Sequence, residues 1–565
     1  MTDQGGASRV AVLRALWRRG ATATLRRTRH EVWTRLGGPA RALPDRAAPA
    51  GPFLPCPAGT LPLETPVLAR LLAGADRAAR PASFATGRPD DAAPWHAVEP
   101  YAHGDVRLVW EAARFGVLPA LALAARATGE RRFLDAAERH LAAFLAACPP
   151  YRGAHWASAQ EAAIRLIHLV AAGLILGGAP PPGGRALAGL LAARVRATLA
   201  YERSLANNHG LVCAAALAGA GAWLGTEDRR RGERILAADL PRLTTAAGGF
   251  AQVSTRYHRM ALDALAFAAL AGASLAAPLR DRLAAMAAWL GRVTDPATGR
   301  VPRLGHDDGT ALLDATCAGP DDARPSLVRA TAAAAAPGES ALALAGLGPR
   351  APDPPPGGWA DPEGGTAGLR HDGSTLALLR LPGGRFPAGQ GDILHLTLMH
   401  RGEEILRDAG TWLYNPPAGE SDLAGTAHHT TAQWGEADRP TRLGRFLFAA
   451  PPRLRRLEAS ADRLRAACDR HDRTVAVAGD TWTVTDLLAP GATLRWRLPP
   501  GTWLRRSDGV EGAAAALSVS ADGPVDLRLA QGWDSPRYGE RRRIPVLTVR
   551  LTGSTRCVVT RIRLP

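Results

Sequence analysis

The spacing of apolar residues changes within this chain, and that change limits the fold more than any other feature. Between about residues 105 and 292 the sequence is rich in Ala and Leu, with apolar positions at i, i+3 and i+4. A Pro- and Gly-rich stretch follows near 352–358, and beyond it apolar and polar residues alternate, as over 394–398. The sequence therefore predicts helices in the first part of the chain and strands in the second.

Short Gly/Pro turns separate the predicted helices, and such turns join long helices into antiparallel hairpins. Seven or more helices make a helical barrel or solenoid rather than a single four-helix bundle. The sequence has no exact repeat, so it does not predict a solenoid of defined period. The predicted helices cover residues 105–127, 131–147, 157–177, 184–201, 208–224, 257–275 and 278–292.

The alternating part predicts an all-β half of sandwich type, beginning with a hairpin over 397–406 that turns at Arg401-Gly402. The fold class is thus α+β multidomain, with helical hairpins followed by an antiparallel β-sandwich, each with its own core. Further strands are predicted at 474–478, 481–487, 493–498, 525–530, 545–551 and 556–563. The predicted divisions are a basic helix with an irregular segment (1–104), a helical domain (105–345), a linker (346–365) and a β-sandwich (366–565).

The N-terminal segment is basic and amphipathic from about residue 8 to residue 36. It is expected to pack on the next domain, with contact to a membrane surface as the alternative. No uninterrupted apolar run reaches the roughly 18 residues of a membrane span. The N-terminus lacks a signal-peptide pattern, so a cytoplasmic location is the default expectation, with periplasmic or cell-envelope association left open. The sequence does not predict an oligomeric state.

The net charge of +17 comes from 69 basic residues, all Arg, against 52 acidic ones. Lys is absent and Asn occurs three times, which is typical of a GC-rich coding bias. The charge therefore gives little support for nucleic-acid binding, and no nucleic-acid-binding motif is present, although the surface suits acidic ligands. The six Cys are far apart, without a CxxC pair, so neither a disulfide framework nor a Cys-zinc site is indicated.

Two of the three Asn stand together, as Asn207-Asn208-His209, at the start of a predicted helix. Asn is a preferred N-cap residue, but one cap needs one Asn. The second Asn and the adjacent His favour a polar cluster at the positive end of the helix, suited to a carboxylate.

A second cluster, Ser254 to His258, precedes another helix and contains Tyr257, one of six Tyr. Arg256 would favour the phenolate and thus lower the pKa of Tyr257, while His258 could accept a proton. The alternative is structural, with Ser254 as a cap and Tyr257 as a packing residue.

A third cluster lies in the β part, where Asp408, His395 and His428 have the residue types of a zinc site. The acidic residues of the helical part have a structural interpretation. Glu111 with Arg114, and Glu161 with Arg165, have the spacing of ion pairs on a helix.

These residues resemble the heparinase II/III-like polysaccharide lyases, over roughly residues 100–560 and in the same order. Members of that family have an (α/α) toroid followed by an antiparallel β-sandwich. The resemblance lies in Trp110-Glu111, Arg114-Phe115, Trp156, Gln160-Glu161, Arg165, Asn207-Asn208-His209, Ser254, Tyr257-His258, Asp307-Asp308-Gly309, Asp392 to His395, Asp408 to Thr411, Tyr414-Asn415, Ala427-His428, Ser535 and Tyr538-Gly539.

The resemblance implies β-elimination at C5 and C4 of a uronic acid in an acidic polysaccharide. It implies that Asn208 or Asn207 binds the carboxylate, and that Tyr257 is base and acid, assisted by His209. The remaining candidates for substrate binding are Arg256, His258, Glu161 and Trp156.

The sequence departs from the family at the His-x-His-x-Asp run, where Ala388 and Gln390 replace a catalytic His and a zinc ligand. Gln is a poor zinc ligand, so no cofactor is expected to be required and zinc is doubtful, with Asp408 and His428 as weak candidates. His429 also stands where the family usually has Asn. His395 is the candidate substitute for the missing catalytic His.

The expected function is cleavage of an acidic, uronate-containing glycan, such as a bacterial exopolysaccharide or capsule. Two alternatives stay open. One is an inverting glycoside hydrolase that uses two of the carboxylates Glu111, Glu161 and Asp307. The other is a non-catalytic glycan-binding protein of surface-polysaccharide assembly.

Overall fold

A computed structural model describes residues 21–335, 338, 340–349 and 352–565. The predicted basic helix over 8–36 lies partly outside these residues. Its described part is the helix Ala21–Arg35, which packs on the helix Pro182–Ser204. His30 and Tyr201 make that contact, with ring centroids 4.6 Å apart.

The helical part is a ring of hairpins in which inner helices alternate with outer ones. The inner helices are buried almost all round, whereas the outer ones bury one face. Each inner helix contacts the next inner helix along the chain. The inner helices are Leu118–Thr128, Ala159–Leu176, Asn208–Leu224, Thr255–Leu270 and Arg324–Ala335, and the outer ones are Arg131–Ala147, Pro182–Ser204, Asp228–Leu243 and Ala277–Val293.

Shorter helices lie before the ring, at its entrance and at its end. The helix Thr65–Ala78 falls in the stretch that the sequence predicts to be irregular. The others are Gly38–Ala42, Val106–Trp110, Glu111–Ala113, Ala154–Ala157 and Ala341–Leu344.

Two segments are long and apolar enough to cross a membrane by length and composition, Val106–Thr128 and Ala159–Leu176. Both have a mean hydropathy of 1.5, but the protein buries 61% of the first and 94% of the second. The ring of helices accounts for this apolar character, because its inner members face protein on every side.

The β part begins with a five-stranded antiparallel sheet in chain order, whose first strand lies within the predicted linker. Its third strand, Thr375–Arg380, is buried on both faces: Leu376 and Leu378 join the helical core, whereas Ala377 and Leu379 join the sandwich core. The two parts therefore share a buried sheet instead of having fully separate cores. The strands are Gly357–Asp361, Thr366–Arg370, Thr375–Arg380, Leu396–His400 and Glu403–Leu406.

An eight-stranded and a four-stranded antiparallel sheet complete the sandwich around the core that contains Trp482 and Trp496. The eight-stranded sheet has the order Trp503–Arg505, Gly509–Gly512, Ala515–Ala521, Cys557–Arg563, Thr481–Leu488, His471–Ala478, Arg463–Ala467 and Arg456–Ala459. The four-stranded sheet has the order Val525–Asp534, Arg542–Leu551, Ala492–Arg497 and Ala432–Trp434, and Arg442–Gly444 pairs with Leu447–Phe448.

Candidate functional site

A cleft of about 1990 Å³ opens between the ring of helices and the loops of the β part. The inner helices contribute their N-terminal ends, near residues 158, 207 and 254. The β part contributes the segments 385–390, 414–422 and 442–447. The cleft thus lies where the two halves of the chain meet.

Three inner helices start at this cleft, and each has a side-chain cap. Ser158 accepts a hydrogen bond from the backbone N–H of Glu161, Asn207 from that of His209, and Ser254 from that of Tyr257. The positive ends of three helix dipoles are therefore directed at one cavity. An anionic ligand is the natural occupant of such a site.

Asn208 is the second Asn of the pair and has no part in the cap. Its side chain is 1% exposed; Nδ2 lies 3.5 Å from Sδ of Met260, and Oδ1 has no hydrogen-bond partner. Gln160 is similar, because its Nε2 lies 3.7 Å from the same sulfur and its Oε1 has no partner. Both residues line the cleft, so two buried amides there have unused hydrogen-bonding capacity.

His209 is held in one orientation by Glu202, whose Oε2 lies 2.9 Å from Nδ1. A carboxylate only accepts, so Nδ1 of the neutral imidazole carries the proton and Nε2 can accept one. The side chain is 35% exposed and lines the cleft. Gly210 lets the helix start this close to the previous one, because a Cβ there would lie 2.8 Å from Cα of Arg203.

Tyr257 reaches the cleft from the first turn of its helix, and its hydroxyl hydrogen-bonds to the hydroxyl of Tyr414. Burial, together with the nearby charge of Asp308, raises the pKa of Tyr257 well above its ordinary value. The sequence hypothesis that Arg256 lowers this pKa is therefore wrong. The phenol is protonated at neutral pH.

Tyr414 is fixed by a hydrogen-bond network that ties the β part to the helical part. Its backbone N–H donates to the hydroxyl of Tyr538 over 2.8 Å, and that hydroxyl donates to Oδ2 of Asp105 over 2.7 Å. The backbone N–H of Asn415 donates to the same oxygen, also over 2.8 Å. The position of the Tyr257 hydroxyl thus depends on both halves of the chain.

Two buried arginines lie beneath the cleft, and each is paired with an acid. Arg107 donates from Nε to Asp308 over 2.8 Å, and Arg114 donates to both carboxylate oxygens of Glu161 over 2.5 and 2.7 Å. Despite burial, the charges of Arg107 and Arg114 lower the pKa of Asp308, and that of Arg114 lowers the pKa of Glu161. Both oxygens of Glu161 are therefore already engaged, and by Arg114 instead of the predicted Arg165.

Four of the predicted catalytic and substrate-binding residues do not line the cleft. Trp156 is fully buried and donates to the carbonyl of Cys148, whereas Arg256 pairs with Asp307 over 2.8 Å. His258 stacks on Trp289, with ring centroids 4.4 Å apart. These three side chains are thus engaged in contacts within the protein.

His395 is the fourth, and it is fully buried in the β part. Its Nδ1 accepts the backbone N–H of Thr430 over 2.9 Å, and its Nε2 lies 3.0 Å from Oγ1 of Thr397. Burial lowers its pKa to about 3. Both ring nitrogens are used within the protein, so His395 does not replace the missing catalytic histidine.

Asp408 lies between two histidines, His395 and His429. Its Oδ2 is 2.8 Å from Nδ1 of His429 and 3.6 Å from Nε2 of His395. The predicted partner His428 is elsewhere, with Nε2 2.9 Å from Oγ of Ser421. The predicted cluster thus contains the right aspartate, but the second histidine beside Asp408 is His429 and not His428.

This cluster does not fit a zinc ion, although its three donor atoms lie within 4.8 Å of one another. A histidine that binds zinc through one nitrogen carries a proton on the other and donates it. Nδ1 of His395 instead accepts a hydrogen bond from a backbone N–H, so the proton of the imidazole is on Nε2. Neither nitrogen then has a free lone pair for a metal ion. Asp408 and His429 then remain, too few for a closed zinc site.

We therefore expect the protein, purified without chelators and dialysed against zinc, to contain substoichiometric zinc by elemental analysis. Chelator treatment is expected to leave the thermal unfolding midpoint unchanged, because the N–H groups of His429 and Gly410 already satisfy both oxygens of Asp408. One tightly bound zinc per chain would contradict this reading of His395.

Tyr414 and Asn415 entered the sequence analysis through a resemblance alone, yet a direct signal for them was present. Asn415 is the third Asn of the chain, and Tyr414 is one of six Tyr. The scarcity that made Asn207, Asn208 and Tyr257 informative applies equally to this pair. His306, which precedes Asp307-Asp308-Gly309, also lines the cleft and has a buried Nδ1 without a hydrogen-bond partner.

Comparison with known proteins agrees with this architecture. Residues 353–562 match the family model described as heparinase II/III-like, C-terminal. Among solved structures, the chain is similar to heparinase III, with a TM-score of 0.64 and 16% identity over 92% of this chain and 87% of that one. It is also similar to heparan sulfate lyase HepC from Pedobacter heparinus, with a TM-score of 0.52 and 16% identity over 89% and 83% of the two chains. No curated protein matches the chain. At these identities the structural similarity establishes the fold, an α/α toroid followed by an antiparallel β-sandwich.

Proposed function

We propose that this chain, which has a heparinase II/III-like C-terminal domain and the fold of heparinase III, is a polysaccharide lyase that cleaves an acidic, uronate-containing glycan by β-elimination. The observation that supports this function is the convergence of Asn208, His209 and Tyr257 on one cleft. A bacterial exopolysaccharide or capsule is the class of substrate that we expect.

β-Elimination needs three groups around one sugar. The C5–H bond breaks as a base takes the proton, and its electron pair forms the C4=C5 double bond. As that double bond forms, the bond from C4 to the glycosidic oxygen breaks, its electron pair leaves with the oxygen, and an acid protonates the departing oxygen. Neutralising the uronate carboxylate makes the C5 proton acidic, so hydrogen-bond donors at the carboxylate lower the barrier.

The chain supplies a candidate for each of these groups. Asn208 lies at a positive helix end, and its amide can turn to donate to the carboxylate. His209 has its Nε2 free to take the C5 proton, because Glu202 holds Nδ1–H. Tyr257 is protonated at neutral pH and can donate to the departing oxygen. This arrangement divides between His209 and Tyr257 the two roles that the sequence analysis gave to Tyr257.

The carboxylates do not favour the hydrolase alternative. Inverting hydrolysis needs one protonated and one ionised carboxyl group across the cleft. Glu111 lies 2.7 Å from Arg107, Glu161 is held by Arg114, and Asp307 is held by Arg256. All three carboxylates are thus engaged by arginines, and of the three only Glu161 lines the cleft, so no two of them face each other across it.

The proposal is tested by incubating the purified chain with a panel of uronic-acid polymers and recording the ultraviolet absorbance of the unsaturated product. Heat-inactivated protein is the control. Lyase activity gives rising absorbance together with new reducing ends. New reducing ends without absorbance would select the hydrolase, and binding without either signal would select the glycan-binding protein.

A further inference from the structure

Four separate elements each direct an arginine into one part of the cleft, and these arginines, Arg26, Arg203, Arg242 and Arg385, are here named the arginine corner. Arg26 comes from the N-terminal helix, Arg203 and Arg242 from the last turns of two outer helices, and Arg385 from a loop of the β part. Arg385 points to the same place as Arg242, because its guanidinium lies 3.5 Å from the carbonyl of Pro241.

Asp239 lines the same part of the cleft, and Arg203 uses both of its carboxylate oxygens over 2.5 and 2.8 Å. Within the part of the chain that the structure describes, the guanidinium groups of Arg26 and Arg242 have no hydrogen bond or ion pair. Burial and the charges of Arg203 and Arg242 lower the pKa of Arg26, so the positive charges are close enough to repel one another. Among the described residues, Asp239 thus pairs with Arg203, and Arg26 and Arg242 are left without an ion-pair partner.

Helix termini account for part of this arrangement, because a cation in the last turn of a helix is stabilised by the helix dipole. That reason applies to Arg203 and Arg242. It does not apply to Arg26, which lies before the last turn of its helix, or to Arg385, in a loop. Four elements thus direct guanidinium groups into one part of the cleft.

The arginine corner is next to the site of chemistry along the chain and in space. Arg203 directly follows Glu202, which holds His209, and a Cβ on Gly210 would touch the backbone of Arg203. A sugar that follows the reacting uronate in a bound glycan would reach this corner.

We propose that the arginine corner is a subsite for a second anionic group of the glycan, a sulfate or a carboxylate on a sugar beside the one that is cleaved. Arg26 and Arg242 bind this group directly, and Asp239 positions Arg203 for it. The inference rests on the proposed function only in taking a glycan as the ligand. Guanidinium groups suit both anions, because their planar donors match two oxygens at once.

The test measures binding by calorimetry in a Tyr257→Phe background, where turnover does not interfere. The probes are a heparin-derived hexasaccharide and its desulfated, re-N-acetylated form. Arg26→Ala and Arg242→Ala are each expected to weaken binding of at least one probe about 10-fold. Arg29→Ala and Arg234→Ala are the matched controls, since they remove the same charge from the same helices outside the cleft, and they are expected to bind as the parent does.

Loss of affinity for the sulfated probe alone identifies the anion as a sulfate, and equal loss for both probes identifies it as a carboxylate. Equal effects of the test and control variants, or no binding of either probe, would overturn the subsite. These outcomes are separate from the lyase assay: weaker binding in Arg26→Ala without any unsaturated product from the wild type keeps the subsite and rejects the lyase.

Discussion

Replacing Tyr257 with phenylalanine is expected to lower kcat for cleavage of a uronate glycan by about 10²- to 10⁴-fold, the usual contribution of a positioned acid or base. The hydroxyl is the only group removed, and the buried ring stays in place. KM is expected to change little, because the proton is donated in the transition state and not on binding. Initial rates from the absorbance of the unsaturated product give both constants.

A matched control is Tyr151→Phe, which removes a buried hydroxyl that donates to the carbonyl of Leu190, away from the cleft. It is expected to keep the wild-type rate. A uronate substrate with a good leaving group at C4 is expected to restore the rate of Tyr257→Phe but not that of His209→Gln, since such a group needs no acid. Full activity in Tyr257→Phe, or equal rescue of both variants, would contradict the assignment of Tyr257 as the acid.

Replacing Glu161 with alanine is expected to lower the free energy of unfolding by about 3–5 kcal/mol, which is typical when one partner of a buried ion pair is removed. Glu161 is 2% exposed, and its loss leaves the guanidinium of Arg114 buried without its main partner. Glu161→Gln is the control variant, because its amide oxygen still accepts one hydrogen bond. Urea unfolding followed by circular dichroism measures the difference.

The same pair gives a pH dependence with a definite sign. Arg114 lowers the pKa of folded Glu161 below its ordinary value of 4.5, so the unfolded chain binds this proton more tightly. The stabilisation is complete above about pH 4.5 and is lost as the pH falls through the folded-state pKa. The difference in stability between wild type and Glu161→Gln is therefore expected to shrink on acidification below that value.

The sequence analysis instead gave Glu161 a role in substrate binding, and the two roles predict different results. A structural ion pair predicts lower stability with little change in KM for whatever protein stays folded. Unchanged stability with a raised KM would show that Glu161 binds substrate. The contacts of Arg114 with both carboxylate oxygens favour the first result.

Local sequence patterns were sufficient for the division of the chain into a helical part and a β part, because the apolar period records which face of each element is buried. These patterns did not show which helices lie on the inside of the ring and which lie on the outside. The helix Asp228–Leu243 was missed, since its charged first turns hide the apolar face. The strand Thr375–Arg380 shows the other limit: its alternation was visible, but burial of both faces depends on the helical core beneath it.

The site was predictable where rare residues stood at helix starts, as with Asn207, Asn208 and Tyr257. The site was not predictable where the residues that hydrogen-bond to each other are far apart in the sequence. Asp105 and Tyr538 are far apart in sequence, and no spacing indicates that they fix Tyr414. The same holds for His395, whose ring nitrogens are both used inside the β part, by Thr430 and Thr397.

The central claim is that Asn208, His209 and Tyr257 carry out elimination and not hydrolysis. It is tested most directly by cleaving a uronate oligosaccharide in water labelled with heavy oxygen and weighing both products by mass spectrometry. Elimination predicts two fragments whose masses sum to that of the substrate, with no labelled oxygen and one unsaturated end. Two fragments whose summed mass exceeds that of the substrate by one labelled water would show hydrolysis and contradict elimination.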